Sequence, residues 1–360
     1  MKICIVGLPQ SGKSSLFSAL TGASTESALA KGTDPVAVVK VPDPRLEKLA
    51  VIFEPKKKTA ASIEFVELQS LSAGDPKLAS FSEQFLGKLR TADALLAVVR
   101  SFRDPSVAHP LKTIDPRRDL AAIETEFLLS DLAIVETRVD RLRKQIASKK
   151  SDRDVRELAA LEKCQAQLES ELPLRALDLT DDEETLLRGF RFLTRKPIIA
   201  AVNLDEEEIR REAEILSSFG DWASGPGKAV VGLSARLESE IRQLADQDAA
   251  GFRSDFGIER SALDRLIATA YRMMGLISFF TVGSDEVKAW TVSDGTVATR
   301  AAGVIHSDIE RGFIRAEVVS YEHFVAQGDI AACRTEGTLR LEGKAYSVRD
   351  GDIINFRFAV

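Results

Sequence analysis

Gly7-Leu8-Pro9-Gln10-Ser11-Gly12-Lys13-Ser14 fits the pattern G-x-x-x-x-G-K-[ST], and its flanks fix what the chain around it must be. An apolar run, KICIVG (2–7), precedes it. A helical stretch, SSLFSALTG, follows it and closes on Gly22. Strand, glycine loop and helix in that order form a cradle for phosphate. The glycines let successive backbone N–H groups turn inward, and the helix N-terminus adds its positive end. Lys13 supplies a point charge to the outer phosphates, and Ser14 offers a hydroxyl to Mg²⁺. Pro9, Gln10, Ser11, Gly12, Lys13, Ser14 and Ser15 are the candidate phosphate contacts, with Lys13 and Ser14 as the catalytic pair.

The motif requires a sheet, and further runs supply one. SIEFVEL (62–68), ALLAVVR (94–100), PIIAAVNL (197–204) and AVVGLSA (229–235) are nearly continuous in apolar residues. Strands buried on both faces read this way, and such strands belong to parallel sheets with crossover helices. VAVVKVP (36–42) reads as an edge strand, ended by Pro42 and Pro44.

Ninety-six residues separate Arg100 from Pro197, far more than one crossover needs. Within them Leu132, Val135, Val139, Leu142 and Ile146 form a heptad seam. SKKSDRD (148–154) interrupts it. Val155, Leu158, Leu161, Leu168 and Leu172 resume the stripe until Pro173. The pattern predicts an antiparallel helical hairpin inserted into the α/β domain. Its tip, residues 138–156, holds eight basic against three acidic side chains, in a chain of net charge −6. That excess reads either as a solvated helical tip or as a contact to phosphate backbone.

After Tyr271 short β-type runs alternate with Gly, Asp and Ser turns, predicting a small β-rich module. Residues 278–360 carry nine basic and twelve acidic side chains, which does not favour this module as a general RNA binder. The global acidity argues against DNA as a partner. No apolar window approaches membrane-spanning length, and the first apolar run is too short for a signal peptide. Cys4, Cys164 and Cys333 are few and odd in number, as expected of reduced thiols in a cytoplasm. His109, His306 and His323 show no metal-ligand spacing.

The run PIIAAVNL leads into Asn203-Leu204-Asp205-Glu206, and at the same place P-loop GTPases usually carry Asn/Thr-Lys-x-Asp to read guanine. Glu206 is one methylene longer than that Asp and fits guanine badly. The Asn203 amide can pair with the N6/N7 edge of adenine, and Leu204 is expected to pack on the ring. The same residues also read as an ordinary strand end before an acidic helix start. Ser234-Ala235-Arg236 resembles the loop that backs the base and tips the reading towards a site.

Taken together, GLPQSGKSSLFSALTG, VPDPRLEKLA, EQFLGKLRTADALLAVVR, AAVNLDE, AAGVIHSDIERGFIRAEVVSYEHF and LRLEGKAYSVRDGDIINFRFAV resemble the Obg-like ATPase (YchF) family over essentially the whole chain. The resemblance implies a Ras-like domain with a coiled-coil insertion, then a C-terminal β-grasp domain of TGS type. It places the nucleotide-binding domain at 1–124 and 175–275, the insertion at 125–174 and the TGS-like domain at 276–360. It implies a cytoplasmic protein that binds ATP, or GTP, with Mg²⁺ and associates with the ribosome. The chain departs from the family where DIAGL is usual: Glu67-Leu68-Gln69-Ser70-Leu71 stands there. Lys31 takes the aligned place of the switch threonine, with Thr33 two residues on. Glu67 and Thr33 are therefore the altered metal ligands beside Ser14. The expected function is ATP binding with slow hydrolysis. The alternatives are a turnover-deficient scaffold stabilised by nucleotide, and a GTPase.

Overall fold

The computed structural model describes residues 1–22, 33–68, 81–149, 151–244, 248–249, 251 and 261–359. The chain forms two compact units. One comprises Met1–Val38 with Glu64–Leu266, and the other comprises Val39–Ile63 with Ile267–Val360. Where the sequence places residues 39–63 in the nucleotide-binding domain, they fold with the C-terminal module.

A six-stranded sheet runs in the order β2-β4-β1-β5-β6-β7. Its strands are β1 (Lys2–Val6), β2 (Val36–Lys40), β4 (Ser62–Glu67), β5 (Ala94–Arg100), β6 (Ile198–Asn203) and β7 (Lys228–Leu233). β1 pairs in parallel with β4 and β5, and β5, β6 and β7 continue in parallel. Every residue of β5 and β6 is buried, as continuous apolar runs covered on both faces require. β2 lies at the edge, with Val36 and Val38 exposed. The switch from β1 to β4 on one side and β5 on the other brings the carboxyl ends of these strands to one crevice, where open α/β sheets bind ligands.

Asp115 caps a helix, Pro116–Ser148, that begins with proline at its first turn. Thirty-three residues make it about 50 Å long. Its first part buries Leu120, Ile123 and Phe127 against the sheet. Its second part buries Val135, Val139 and Leu142 against Ala160, Leu161, Cys164 and Leu168 of the helix Asp152–Glu169. The predicted hairpin is present, but no joint separates it from the domain: the boundary expected at 124/125 falls inside one continuous helix. The seam also frays, since Val155 and Leu172 are exposed.

The second sheet runs β11-β10-β12-β8-β9-β3, from β3 (Lys57–Thr59), β8 (Leu276–Thr281), β9 (Glu286–Ser293), β10 (Phe313–Ser320), β11 (Arg340–Glu342) and β12 (Asp352–Phe358). β12 pairs in parallel with β8, while β8–β9, β10–β11 and β10–β12 are antiparallel. A helix, Ala298–Ile305, sits Ala298, Ala301 and Ala302 against Phe279, Val318 and Ile354. Small side chains there let the helix approach the sheet closely. Among the described residues no helix is long and apolar enough to cross a membrane.

Candidate phosphate-binding site

The loop after β1 turns through two left-handed residues. Gln10 has φ 61 and Gly12 has φ 92. Glycine is required at position 12 on two counts: the backbone angle, and a side chain there would run into the Asn203 amide. Helix α1 (Lys13–Thr21) starts at once behind it. Arg242 donates to the carbonyls of Ala19 and Leu20, both at 2.9 Å, and so holds the helix's negative end.

Lys13 folds back over the loop. Its Nζ donates to the carbonyl oxygens of Gly7 (3.0 Å) and Leu8 (2.8 Å). Burial pushes this ammonium down to about 8, against the opposing pull of Glu67. The Ser14 hydroxyl donates to Glu67 Oε1 at 2.5 Å. β4 delivers that carboxylate, since Glu67 stands opposite Ile5 in the sheet register. Glu67 is buried, and its Oε2 has no hydrogen-bond partner among the described residues. Burial raises its pKa, partly offset by the Ser14 hydrogen bond and the Lys13 charge. Ser14 and Ser15 are exposed, Pro9 is half-buried and Gln10 is exposed. Ser11 is buried, with a hydroxyl that finds no partner among the described residues. Thr33 is exposed. Lys31, Gln69, Ser70 and Leu71 lie outside the described residues.

Asn203 ties the loop to the far side of the crevice. Its Nδ2 donates to Ser11 O at 3.1 Å, and its Oδ1 accepts from Ala235 N at 3.0 Å. Both ends of the amide therefore engage backbone, and each has one further hydrogen-bonding position. Leu204, expected on the base ring, is 1% exposed and packs in the core. Asp205 and Glu208 form a reciprocal capping box at the start of the helix Glu206–Ile209. Glu206 is exposed on that first turn. Ser234 caps the helix Ala235–Ile241, accepting from Leu237 N. Ala235 is buried, whereas Arg236 is exposed and pairs with Glu240 at 3.0 Å.

Sequence reading missed two neighbours. Arg100 is 2% exposed and donates to the carbonyls of Phe102 (3.1 Å) and Asp104 (3.2 Å). Its guanidinium lies 4.4 Å from the centre of the Phe102 ring. That ring reaches within 3.7 Å of where a side chain at Gly12 would begin. The available signal was an arginine closing an otherwise wholly apolar strand, ALLAVVR.

Comparison with known proteins gives two family matches and full-length relatives. Residues 2–138 match a family described as "50S ribosome-binding GTPase". Residues 276–359 match the YchF-GTPase C-terminal family, described as "Protein of unknown function (DUF933)". The chain is 40% identical to the protein named ribosome-binding ATPase YchF of Bacillus subtilis, over 99% of this chain and 98% of that one. It is 39% identical to the Escherichia coli O157:H7 protein of the same name, over 100% and 99%. The solved structure of the Schizosaccharomyces pombe YchF GTPase superposes with a TM-score of 0.88 at 31% identity, covering 99% of this chain and 97% of that one. The named relatives and the solved structure each cover at least 99% of this chain, and the chain belongs to the YchF family.

Proposed function

We propose that this chain is a cytoplasmic nucleotide-binding ATPase that associates with the ribosome, takes ATP in preference to GTP with Mg²⁺, and hydrolyses it slowly. The observation that carries this reading is the Lys13–Ser14–Glu67 cluster at the mouth of the glycine loop. Relatives named ribosome-binding ATPases support it at about 40% identity over the whole chain.

Lys13 exchanges its two loop carbonyls for the outer phosphates. Backbone N–H groups at the start of α1 would face the phosphate oxygens. The donor set suits magnesium. Ser14 and Glu67 are already in contact, Glu67 keeps an unpartnered buried oxygen, and Mg²⁺ needs only one or two protein oxygens besides phosphate and water. Ser14 and Glu67 would hold the ion, with Thr33 the third candidate. When bound, the ion would supply charge neutralisation at the outer phosphates. Glu67 holds the Ser14 hydroxyl in place, and its extra methylene relative to Asp loosens the fit, which is why turnover is slow.

On the base side, Asn203 keeps its second N–H for the adenine edge. Leu204 shapes the site from the core, and Glu206, Ser234, Ala235 and Arg236 line it. Phe102, held by Arg100, stands beside the glycine loop at Gly12. The family description and the Schizosaccharomyces pombe title both say GTPase, so GTP is the second reading. A competition titration of ATP against GTP on purified protein decides between them. ATP is expected to win, and Glu206→Asp is expected to move the ratio towards GTP. A wild-type preference for GTP contradicts the adenine reading. An unmoved ratio in the variant removes Glu206 from it.

The eight basic side chains of the hairpin tip are the proposed ribosome contact. Arg138 pairs with Glu157, and Arg143 with Glu162. Arg141, Lys144, Lys149 and Arg153 are exposed and form no ion pair among the described residues. Those four are cations available to phosphate backbone, by contacts that weaken steeply with salt, and Lys150 lies outside the described residues.

A further inference from the structure

A groove of about 640 Å³ opens on the C-terminal unit, over the outer face of β10, β11 and β12. Three arginines from three elements line it: Arg315 on β10, Arg334 on the helix Ile330–Thr335 and Arg357 on β12. Glu317 is the one carboxylate among the lining residues. It lies 3.1 Å from Arg357 and 3.9 Å from Arg334, and accepts from Asn355 at 3.0 Å. Arg315 forms no ion pair among the described residues. The groove therefore carries a positive excess in an acidic module.

Two further observations say that the excess is unsatisfied. Arg315 stands directly opposite Arg357 in the antiparallel register of β10 and β12. Like charges in that position oppose sheet pairing unless an anion lies between them. A register shift between Phe313 and Arg315 also leaves Ile314 facing solvent beside Arg315. Ile314, Leu341 and Phe358 are 54%, 60% and 41% exposed at the groove. Large apolar side chains next to arginines, of which Arg315 has no ion pair among the described residues, are the composition of a protein interface core.

We propose that this groove docks an acidic segment of a partner protein in which carboxylates alternate with apolar side chains. Carboxylates match the guanidinium fork in two parallel hydrogen bonds, and one placed between Arg315 and Arg357 relieves their repulsion. The apolar residues of the segment cover Ile314, Leu341 and Phe358. RNA fits less well. Glu317 at the centre repels phosphate, and Phe358 is the single exposed aromatic among the lining residues, where base stacking needs several.

Fluorescence anisotropy on the full chain tests this with three labelled probes. They are a short peptide of Glu interspersed with Leu, the same peptide with Lys for Glu, and a short single-stranded RNA. The acidic peptide is expected to bind, more weakly as salt rises, and the Lys peptide is not. Arg315→Glu should weaken the acidic peptide by about tenfold or more, equivalent to about 1.4 kcal/mol. Leu341→Ser should weaken it by a smaller factor. Both positions are exposed, so circular dichroism and nucleotide binding should stay as in wild type. The proposal is overturned if the acidic peptide does not bind wild type, if both variants bind it unchanged, or if RNA binds the groove and the peptide does not.

Discussion

The two sheets handle burial in opposite ways. In the first sheet, β5 and β6 are buried at every residue, and their polar side chains lie where the strands stop. Glu67, Arg100 and Asn203 are the last residues of β4, β5 and β6, and all three carry a polar group to the crevice beside the glycine loop. In the second sheet, β9 and β10 mix buried and exposed residues along their length, and chemistry is displayed on the face. A sheet covered on both sides concentrates its function at one end. A sheet open on one side spreads it over a surface. The first arrangement makes each strand-end residue serve fold and site at once, and the second separates them.

Asn203→Ala is the strongest way to break that contrast. It leaves Ser11 O and Ala235 N–H buried without their partner, at about 1–3 kcal/mol for each group. Stability by urea titration should fall by about 3 kcal/mol, and nucleotide affinity should fall with it because the loop loses its tether. A variant that keeps wild-type stability would show that the strand end carries no structural role.

Lys13 gives the second test, through pH. Its ammonium titrates near about 8 in the free protein, below its ordinary value, because burial disfavours the charge. Bound phosphates favour the charged form, so binding takes up a proton wherever free Lys13 is neutral. Affinity for ATP should therefore hold below pH about 8 and fall above it, by up to about tenfold per unit. Calorimetry in buffers of different ionisation enthalpy should detect that proton uptake. An affinity flat from pH 7 to 9, within about twofold, would contradict it.

The smallest effect belongs to the second sheet. Arg315→Ser removes an exposed cation from a like-charge pair and touches no buried group. Its stability should stay within about 0.5 kcal/mol of wild type, on the stabilising side. A loss above 1 kcal/mol, about twice that range, would mean that the open face also holds the fold.

What was legible follows the same contrast. The glycine loop, the buried parallel strands and the hairpin seam all carry periodic or motif signals that depend on near neighbours in sequence. β3 was not legible: Lys-Lys-Thr has no pattern, and its partner, beginning at Glu286, lies more than two hundred residues away. The long helix was read as starting with the insertion, because its first turns pack on a different core from its last. The expected base contact of Asn203 had a sequence signal, whereas its tether to Ser11 O and Ala235 N had none, because those partners lie far apart in sequence. Arg100 and Phe102 escaped because a contact between a strand end and a loop three-dimensionally beside Gly12 leaves no spacing in sequence.

The central claim is that the loop Gly7–Ser14 binds phosphate through Lys13. Isothermal titration of Mg²⁺-ATP into wild type and Lys13→Ala, with circular dichroism on both, tests it most directly. Removing one buried charge from a phosphate contact should cost affinity on the order of 100-fold while the fold stays intact. Equal affinity in a folded Lys13→Ala variant would contradict the assignment of the site.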